Sequence, residues 1–523
     1  MLNATTWDVS TGALTPTITL WRGTSILLLL YIIASSWRSY RRLRAMPPGP
    51  RGLPILGNVL QMPSSQQWLK FSEWNKEYGP VFSLNLAGQP LVVLNSFKSA
   101  ADLLDRRSSI YSDRPRLVMV QEVLCGNVFM ILSRYGDQWR RMRRATHEAF
   151  NTKMVEKYRP VQAREAAFAV LRMLENPDDW QNHLKRAAGS SILGAVYAWP
   201  SITDSQNPLV QRIHAFSNTI SAAVVPGAYL IDIFPVLDHL PTWMYRPKKK
   251  GQEWHENETD LFRTLLKDVE DKLDIGSVGE CLVCDLKERN ERNRLSEKEI
   301  AWLSGIMFAA GMETTSGTLA FFILAAVLYP EVVAKAREEL DEVVGRSRLP
   351  SFDDLPQLPY IQAVVKELLR WRPVAPLGVP HSTTEDDWYE GYLIPKGTII
   401  FANIWSMNRD PEYFPDYSEF RPERYLDGDI PEDTHNMGHA SFGFGRRICV
   451  GQNFAMQLLH INIATLLWAL NIDKVMDANN NEIMTPKNDF VDSGVIMEPA
   501  PFKCKMTPRF PEAVDIIKKT FLV

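Results

Sequence analysis

Two hydrophobic rhythms alternate along this 523-residue chain, and their order outlines the fold before any chemistry is considered. The runs "VFSLNLAG" (81–88) and "PLVVLN" (90–95) read as short, half-buried strands. From about residue 97 to 370, apolar positions recur every three to four residues, which predicts a long series of helices. Extended, proline-rich pieces return from about 373 to 440. A last apolar helix, "GQNFAMQLLHINIATLLWAL" (451–470), follows them. There is no internal repeat and no low-complexity tract. The pattern predicts one large, mainly α-helical domain with a smaller antiparallel β region.

The N-terminus departs from this pattern. Gly23 to Trp37 ("GTSILLLLYIIASSW") carries no charge, nor does Gly12 to Trp21, and only Arg22 interrupts. A bilayer core takes about 20 helical residues, so a transmembrane anchor over residues 16–37 is expected, with Arg22 snorkelling to its nearer interface. Arg38, Arg41, Arg42 and Arg44 follow at once, which places the rest of the chain in the cytosol and residues 1–15 as a lumenal head. A cleaved signal would carry its basic residues ahead of the apolar run. An interfacial helix is the alternative. Residues 38–52 form a basic, proline-rich hinge, since "PPGPRGLPILGN" favours extended backbone. The cytosolic domain then spans 53–523. Asn3-Ala4-Thr5 is a glycosylation acceptor pattern that this topology puts in the lumen.

Composition narrows the class. A net charge of −3 gives no global reason to expect nucleic acid. Five scattered cysteines make no disulfide framework and suit a reducing compartment. Cys281 and Cys284 form the only C-x-x-C pair; with no second pair or nearby His to complete four zinc ligands, they read as ordinary residues on a helix flank. Ala301 to Tyr329 is long enough for a second membrane span, but Glu313 in its middle would be costly there. A buried central helix explains the run better.

Cys449 lies in "SFGFGRRICVG" (441–451), among glycines and arginines and just before the last helix. Nearby cations and a helix N-terminus both stabilise a thiolate, and Gly445 and Gly451 permit close approach to a flat ligand. A glycine-rich turn that happens to contain a cysteine is the plainer reading of the loop alone.

The loop resembles the haem signature of the cytochrome P-450 family, F-x-x-G-x-R-x-C-x-G, at every fixed position, through Phe442, Gly445, Arg447, Cys449 and Gly451. This family holds its haem iron by a Cys thiolate. The resemblance implies that Cys449 is the axial iron ligand and Arg447 a propionate contact. Further motifs occur in the family's order, covering the chain from Pro47 onward. "AGMETT" (310–315) is similar to the oxygen-activating groove of the central helix, with Glu313 and Thr314 as the catalytic acid and alcohol. "KELLRW" supplies Glu367 and Arg370 of an E-x-x-R pair, and "FRPERY" supplies Arg424, which locks it. "YGDQWRRMRR" resembles the segment that brings Trp139 and Arg143 to the propionates. His381 stands where many relatives carry Arg, and a propionate contact is implied there too. Taken alone, Glu367 and Arg370 would be a surface ion pair contributing under about 1 kcal/mol, and the arginine-rich segment a solvated helix.

The resemblance, closest in flavour to fungal microsomal members of secondary metabolism, implies the cytochrome P-450 fold behind an N-terminal anchor in the endoplasmic reticulum membrane. It implies haem b and a monooxygenase reaction. Electrons would come from NADPH through a reductase docking at Arg140, Arg141 and Arg144, with a small haem carrier as a second donor. Helical spacing places Leu303, Met307 and Ala310 on the Thr314 face, and the family pattern adds Val374, Leu377 and Val379. All are apolar, so a neutral substrate is expected, a terpenoid ahead of an aromatic or polyketide intermediate. A reductase-independent haem-thiolate isomerase or dehydratase and a non-catalytic haem carrier or sensor are the alternatives; Glu313 and Thr314 argue against the first.

Overall fold

The computed structural model describes residues 44–521 apart from 205, 226, 234, 278, 427–430, 478 and 480. The expected lumenal head with Asn3, the transmembrane anchor and the first part of the hinge lie outside the described residues. The rest of the hinge is pinned to the domain. Ser83 donates its N–H to the Pro48 carbonyl at 2.8 Å and its hydroxyl to that of Pro47 at 2.6 Å. Gly49 lies so close that an added Cβ would stand 2.0 Å from the Ser83 carbonyl oxygen.

The first half of the domain runs α1 (Gln67–Tyr78), β1 (Val81–Leu86), β2 (Gln89–Leu94), α2 (Asp137–Phe150), α3 (Arg159–Glu175), α4 (Trp180–Tyr197), α5 (Pro208–Val224) and α6 (Arg246–Asp274). Then come the central helix α7 (Glu297–Leu328), α8 (Pro330–Val343) and α9 (Pro359–Trp371). Short strands follow: β3 (His381–Ser382), β4 (Asp387–Tyr389), β5 (Tyr392–Ile394) and β6 (Ile399–Ala402). The last elements are α10 (Gln452–Ala469), β7 (Leu470–Asp473), β8 (Phe490–Asp492), β9 (Met497–Pro499) and β10 (Lys505–Pro508), with shorter helices in between.

The four-stranded sheet has the order β1-β2-β6-β3, and three two-stranded sheets pair β4 with β5, β7 with β10 and β8 with β9. All pairings are antiparallel except β2 with β6, whose register runs Leu91 to Ile399 and Leu94 to Ala402. A parallel neighbour needs a crossover, and here most of the helical domain lies between the two strands. The β region is therefore mixed at one seam.

Helix α7 organises the core. Ser296 and Glu299 form a reciprocal capping box at its start, and Pro330 ends it by keeping Tyr329 out of helical geometry. It is long and apolar enough to cross a membrane, but α4, α5 and α6 pack against it and almost every side chain is buried. Close packing explains two of its glycines. A Cβ on Gly305 would come within 2.4 Å of Phe262 on α6, and one on Gly311 within 2.6 Å of Ile192 on α4.

Candidate active site

Cys449 sits between the loop and α10. Its N–H donates to the Phe442 carbonyl at 2.9 Å, and Gly451 caps the helix that begins at Gln452. The thiol is deep in the domain yet accessible, so it faces an internal cleft. Burial pushes its pKa up, while the Gly451 N–H and the charge of Arg143 pull the other way. The expected pull of a cation on the thiol is present through Arg143, and burial works against it. Gly445 has the unusual backbone shape expected of it: at φ +59°, an added Cβ would lie 2.0 Å from the Leu104 carbonyl oxygen, so this glycine lets the loop dock closely on the protein. At Gly451 an added Cβ would stand 3.9 Å from the Cys449 sulfur, an ordinary contact distance.

Three guanidiniums lie near the Cys449 loop, Arg114 buried and Arg143 and Arg447 half-buried, and of these Arg143 acts on the sulfur. Arg447 stacks 4.2 Å from the centroid of the buried Trp139 and donates to the carbonyls of Ser112 and Ser133, both at 2.8 Å. Burial pushes its pKa down to about 9. Arg143 makes no side-chain hydrogen bond or ion pair among the described residues. Burial lowers its pKa too, and the Cys449 sulfur is the one opposing charge it feels. The third, Arg114, escaped the sequence reading. It donates to the carbonyls of Ile131, Val379 and Pro380 at 2.7 to 2.9 Å and feels the repulsion of Arg447. The nearby carboxylate of Asp113 is already bound by Arg134.

His381 is buried with Nδ1 2.8 Å from the Tyr111 carbonyl. Burial and the charges of Arg114 and Arg447 push its pKa well down, which keeps the ring neutral. Since Nδ1 must then donate to the carbonyl, Nε2 is an acceptor with no proton to offer a carboxylate. The cation in this region is Arg114.

Buried cations without anions are costly, so the cluster calls for an anionic ligand. Haem b fits: its two carboxylates match the surplus positive charge, and its iron matches the sulfur donor of Cys449.

On α7, Thr314 is partly exposed and donates its hydroxyl to the Ala310 carbonyl at 2.7 Å. Glu313 is buried and turns the other way, with its two oxygens 3.0 and 3.1 Å from Nδ1 of His214 on α5. His214 had no local sequence signal; only the packing of α5 on α7 reveals it. Met307 and Ala310 are partly exposed, as are Val374, Leu377 and Val379. Leu303 is a correction: it is fully buried in the core, because α7 is enclosed by packed helices at that level. Leu377 also lines a second cleft shared with Ser64, Ser65, Val224, Val225 and Val495, which opens between the start of the domain and the end of α5.

Away from the thiol, Glu367, Arg370 and Arg424 come together as a buried cluster rather than a surface pair. The three docking arginines separate. Arg140 is exposed beside the Tyr135 ring, shared on its other side by Arg446. Arg141 instead binds the Arg294 carbonyl and Glu299, and Arg144 binds Asn293, so both brace α2 against the start of α7. Cys281 and Cys284 stand outside the site with sulfurs 2.8 Å apart.

The group whose charges this arrangement matches is an iron porphyrin held by sulfur, which makes the class a haem-thiolate protein. Residues 47–506 match the sequence model of the family described as cytochrome P-450, and the chain belongs to that family and is a monooxygenase. It is 50% identical over 476 residues to cytochrome P-450 monooxygenase 58 of Postia placenta, covering 90% of each chain. A cytochrome P-450 monooxygenase of Armillaria gallica is 44% identical over 510 residues, covering 96% of each chain. The monooxygenase claR of Ampulloclitocybe clavipes is 39% identical over 501 residues, covering 94% of this chain and 91% of its own.

Proposed function

We propose that this monooxygenase hydroxylates a neutral, largely hydrocarbon small molecule, a terpenoid, at an unactivated carbon, using electrons from NADPH delivered by a membrane-bound reductase. The observation that carries this reading is the chemistry beside Thr314. Met307, Ala310, Val374, Leu377 and Val379 are apolar and partly exposed, and no Lys or Arg stands among these positions to pair with an anionic substrate, whose buried charge would be costly. The overall balance is one substrate, one O2, two electrons and two protons giving one hydroxylated product and one water.

Haem, when bound through Cys449, supplies the reductive activation of O2. The chain does the rest. Arg447, Arg143 and Arg114 would hold the haem carboxylates, and Trp139 backs Arg447. The apolar wall orients the substrate and limits water. The Thr314 hydroxyl positions a proton-donating water, and Glu313 resupplies the proton.

Localisation in the endoplasmic reticulum membrane, with the domain cytosolic, is part of the same reading. Two exposed apolar stretches support it: Ile55 is 92% and Leu60 71% exposed in one, Val236 69% and Trp243 77% in the other. In sequence the first precedes Ser64 and Ser65 and the second follows Val224 and Val225, residues that line one cleft, which favours entry of a lipid-dissolved substrate from that side. For the reductase, the exposed cations beside the Cys449 loop, Arg140 and Arg446, are the docking candidates that the geometry favours.

The test is spectral titration and turnover of the enzyme reconstituted with reductase and NADPH, using terpenoids, polyketide intermediates and carboxylates. Tight binding and hydroxylation of a terpenoid are expected. Tight binding of a carboxylate alone, with no response to terpenoids, would overturn the substrate class.

A further inference from the structure

We propose that His214 is the relay through which solvent protons reach Glu313, and that it holds this carboxylate on the α5 side until it turns toward Thr314. The proposal rests on the reading of Glu313 and Thr314 as the proton-handling pair.

The geometry is specific. The Glu313 side chain is 6% exposed and that of His214 is 32% exposed. Among the described residues, His214 is the only side chain that hydrogen-bonds the carboxylate. On its other side, the ring's Nε2 lies 3.2 Å from Nδ2 of Asn218, one turn further along α5. A carboxylate enclosed this way needs an intermediary, and an imidazole can accept a proton on one nitrogen and release one from the other.

The carboxylate indicates the resting tautomer. Ionised Glu313 only accepts, so Nδ1 of the neutral ring carries the proton that points at it, and Nε2 is left to accept from the Asn218 amide. One relay event is balanced: Nε2 takes a proton from solvent hydronium, which leaves as water, Nδ1 gives its proton to the carboxylate, and no electrons move. Rotation of the Asn218 amide then presents Oδ1 to the new Nε2–H. Once Glu313 has passed its proton on, the ring resets by releasing its Nε2 proton and regaining one at Nδ1 through exchange with solvent.

The relay must also be gated. Neighbouring helix residues point about 100° apart, so Glu313 faces α5 while Thr314 faces the cleft. The carboxylate has to swing away from His214 to serve the hydroxyl, whose proton rests on the Ala310 carbonyl.

The other charges packed around this couple are already committed. On α5, Arg212 pairs with Glu258 of α6 at 3.4 Å. On the opposite side, Lys185 of α4 pairs with Glu498 of β9 at 3.8 Å, beside Gly317 and one turn along α7. Between Ala301 and Tyr329, Glu313 is the one charged residue on α7 itself.

The test compares His214→Gln, which keeps an amide donor but cannot titrate, with Glu313→Gln and the double variant, in the haem-loaded enzyme with reductase. His214→Gln is expected to keep the CO spectrum and the substrate-binding shift. It should lose the imidazole limb of the pH profile, raise the solvent isotope effect, and lower product formed about tenfold or more while peroxide rises. The double variant should resemble Glu313→Gln alone. Loss of rate with an unchanged pH profile would overturn the relay, as would wild-type behaviour of His214→Gln while Glu313→Gln is impaired. If Glu313→Gln also behaved as wild type, the proton-handling reading itself would fall. Nitrogen-15 NMR of labelled histidine in the unmutated protein gives a check independent of turnover. Nδ1–H in the neutral ring is expected, and Nε2–H would refute the assignment.

Discussion

Arg370 holds Glu367 through two hydrogen bonds, Nε to Oε2 at 2.6 Å and Nη2 to Oε1 at 2.8 Å, where neither side chain meets solvent. The same carboxylate accepts from Arg424 Nε at 3.2 Å and from the Arg421 backbone at 2.8 Å. Arg370 also donates to the carbonyls of Asn408, Tyr417 and Glu419, so one pair ties α9 to the chain approaching the Cys449 loop. Glu367→Gln leaves two buried guanidiniums without their anion. A loss of about 3–5 kcal/mol of stability is expected, read as a lower denaturation midpoint and a smaller haem-loaded fraction. A variant as stable as the parent would show that solvent relaxes into the cluster.

The ligand assignment is tested by Cys449→His. The reduced protein with carbon monoxide should show the red-shifted Soret band of sulfur-bound haem, and the variant should lack it, because imidazole replaces the electron-rich sulfur. An unchanged spectrum would place the ligand elsewhere.

For the electron donor, Arg140→Glu with Arg446→Glu should slow reductase-driven turnover and flatten its dependence on salt, since exposed charges act mainly on encounter. Peroxide-driven turnover should persist. Arg144→Glu should act differently, lowering thermal stability through the lost Asn293 contact. Equal loss of both turnover routes in the double variant would assign Arg140 and Arg446 to the fold.

A pH dependence is expected at Asp232, in the short helix Leu230–Ile233, whose carboxylate accepts from the Met119 N–H at 2.9 Å. Burial pushes its pKa up to about 6, from an ordinary 3.8. Between these values the folded protein keeps a proton that the unfolded chain releases, so this group's contribution to stability falls as pH rises. Relative to Asp232→Asn, the parent should lose on the order of 1 kcal/mol across that window, reduced by partial exposure, and nothing further above about pH 7. Melting curves at pH 4.5, 6 and 7.5 measure the difference; a difference that does not vary with pH would show that Asp232 titrates normally.

The helices and the strands β1 and β2 were legible because their hydrophobic periods are strong, and the Cys449 loop because its residue types and spacing are unusual. The parallel pairing of β2 with β6 was not legible, since register between distant strands is set by the packed helices between them. Arg114 and His214 were missed for a related reason. Each lies in a segment whose local pattern has no chemical signal, and each gains its meaning from a neighbour far away in sequence. Leu303 was misplaced because helical spacing gives the face of a residue but not what covers that face along a long helix. Arg141 and Arg144 likewise share a basic helix with Arg140, and only tertiary contact shows that these two also brace it.

The docking of Gly445 on Leu104, reinforced by the Gly445 N–H donating to the Asp105 carboxylate, joins parts of the chain 340 residues apart. During synthesis the earlier half of that contact leaves the ribosome long before the later half exists. The surface therefore waits for its loop, and the site around Cys449 cannot be assembled until most of the polypeptide has emerged. A chain stopped before residue 445 would be an extensively helical body with nowhere to put iron.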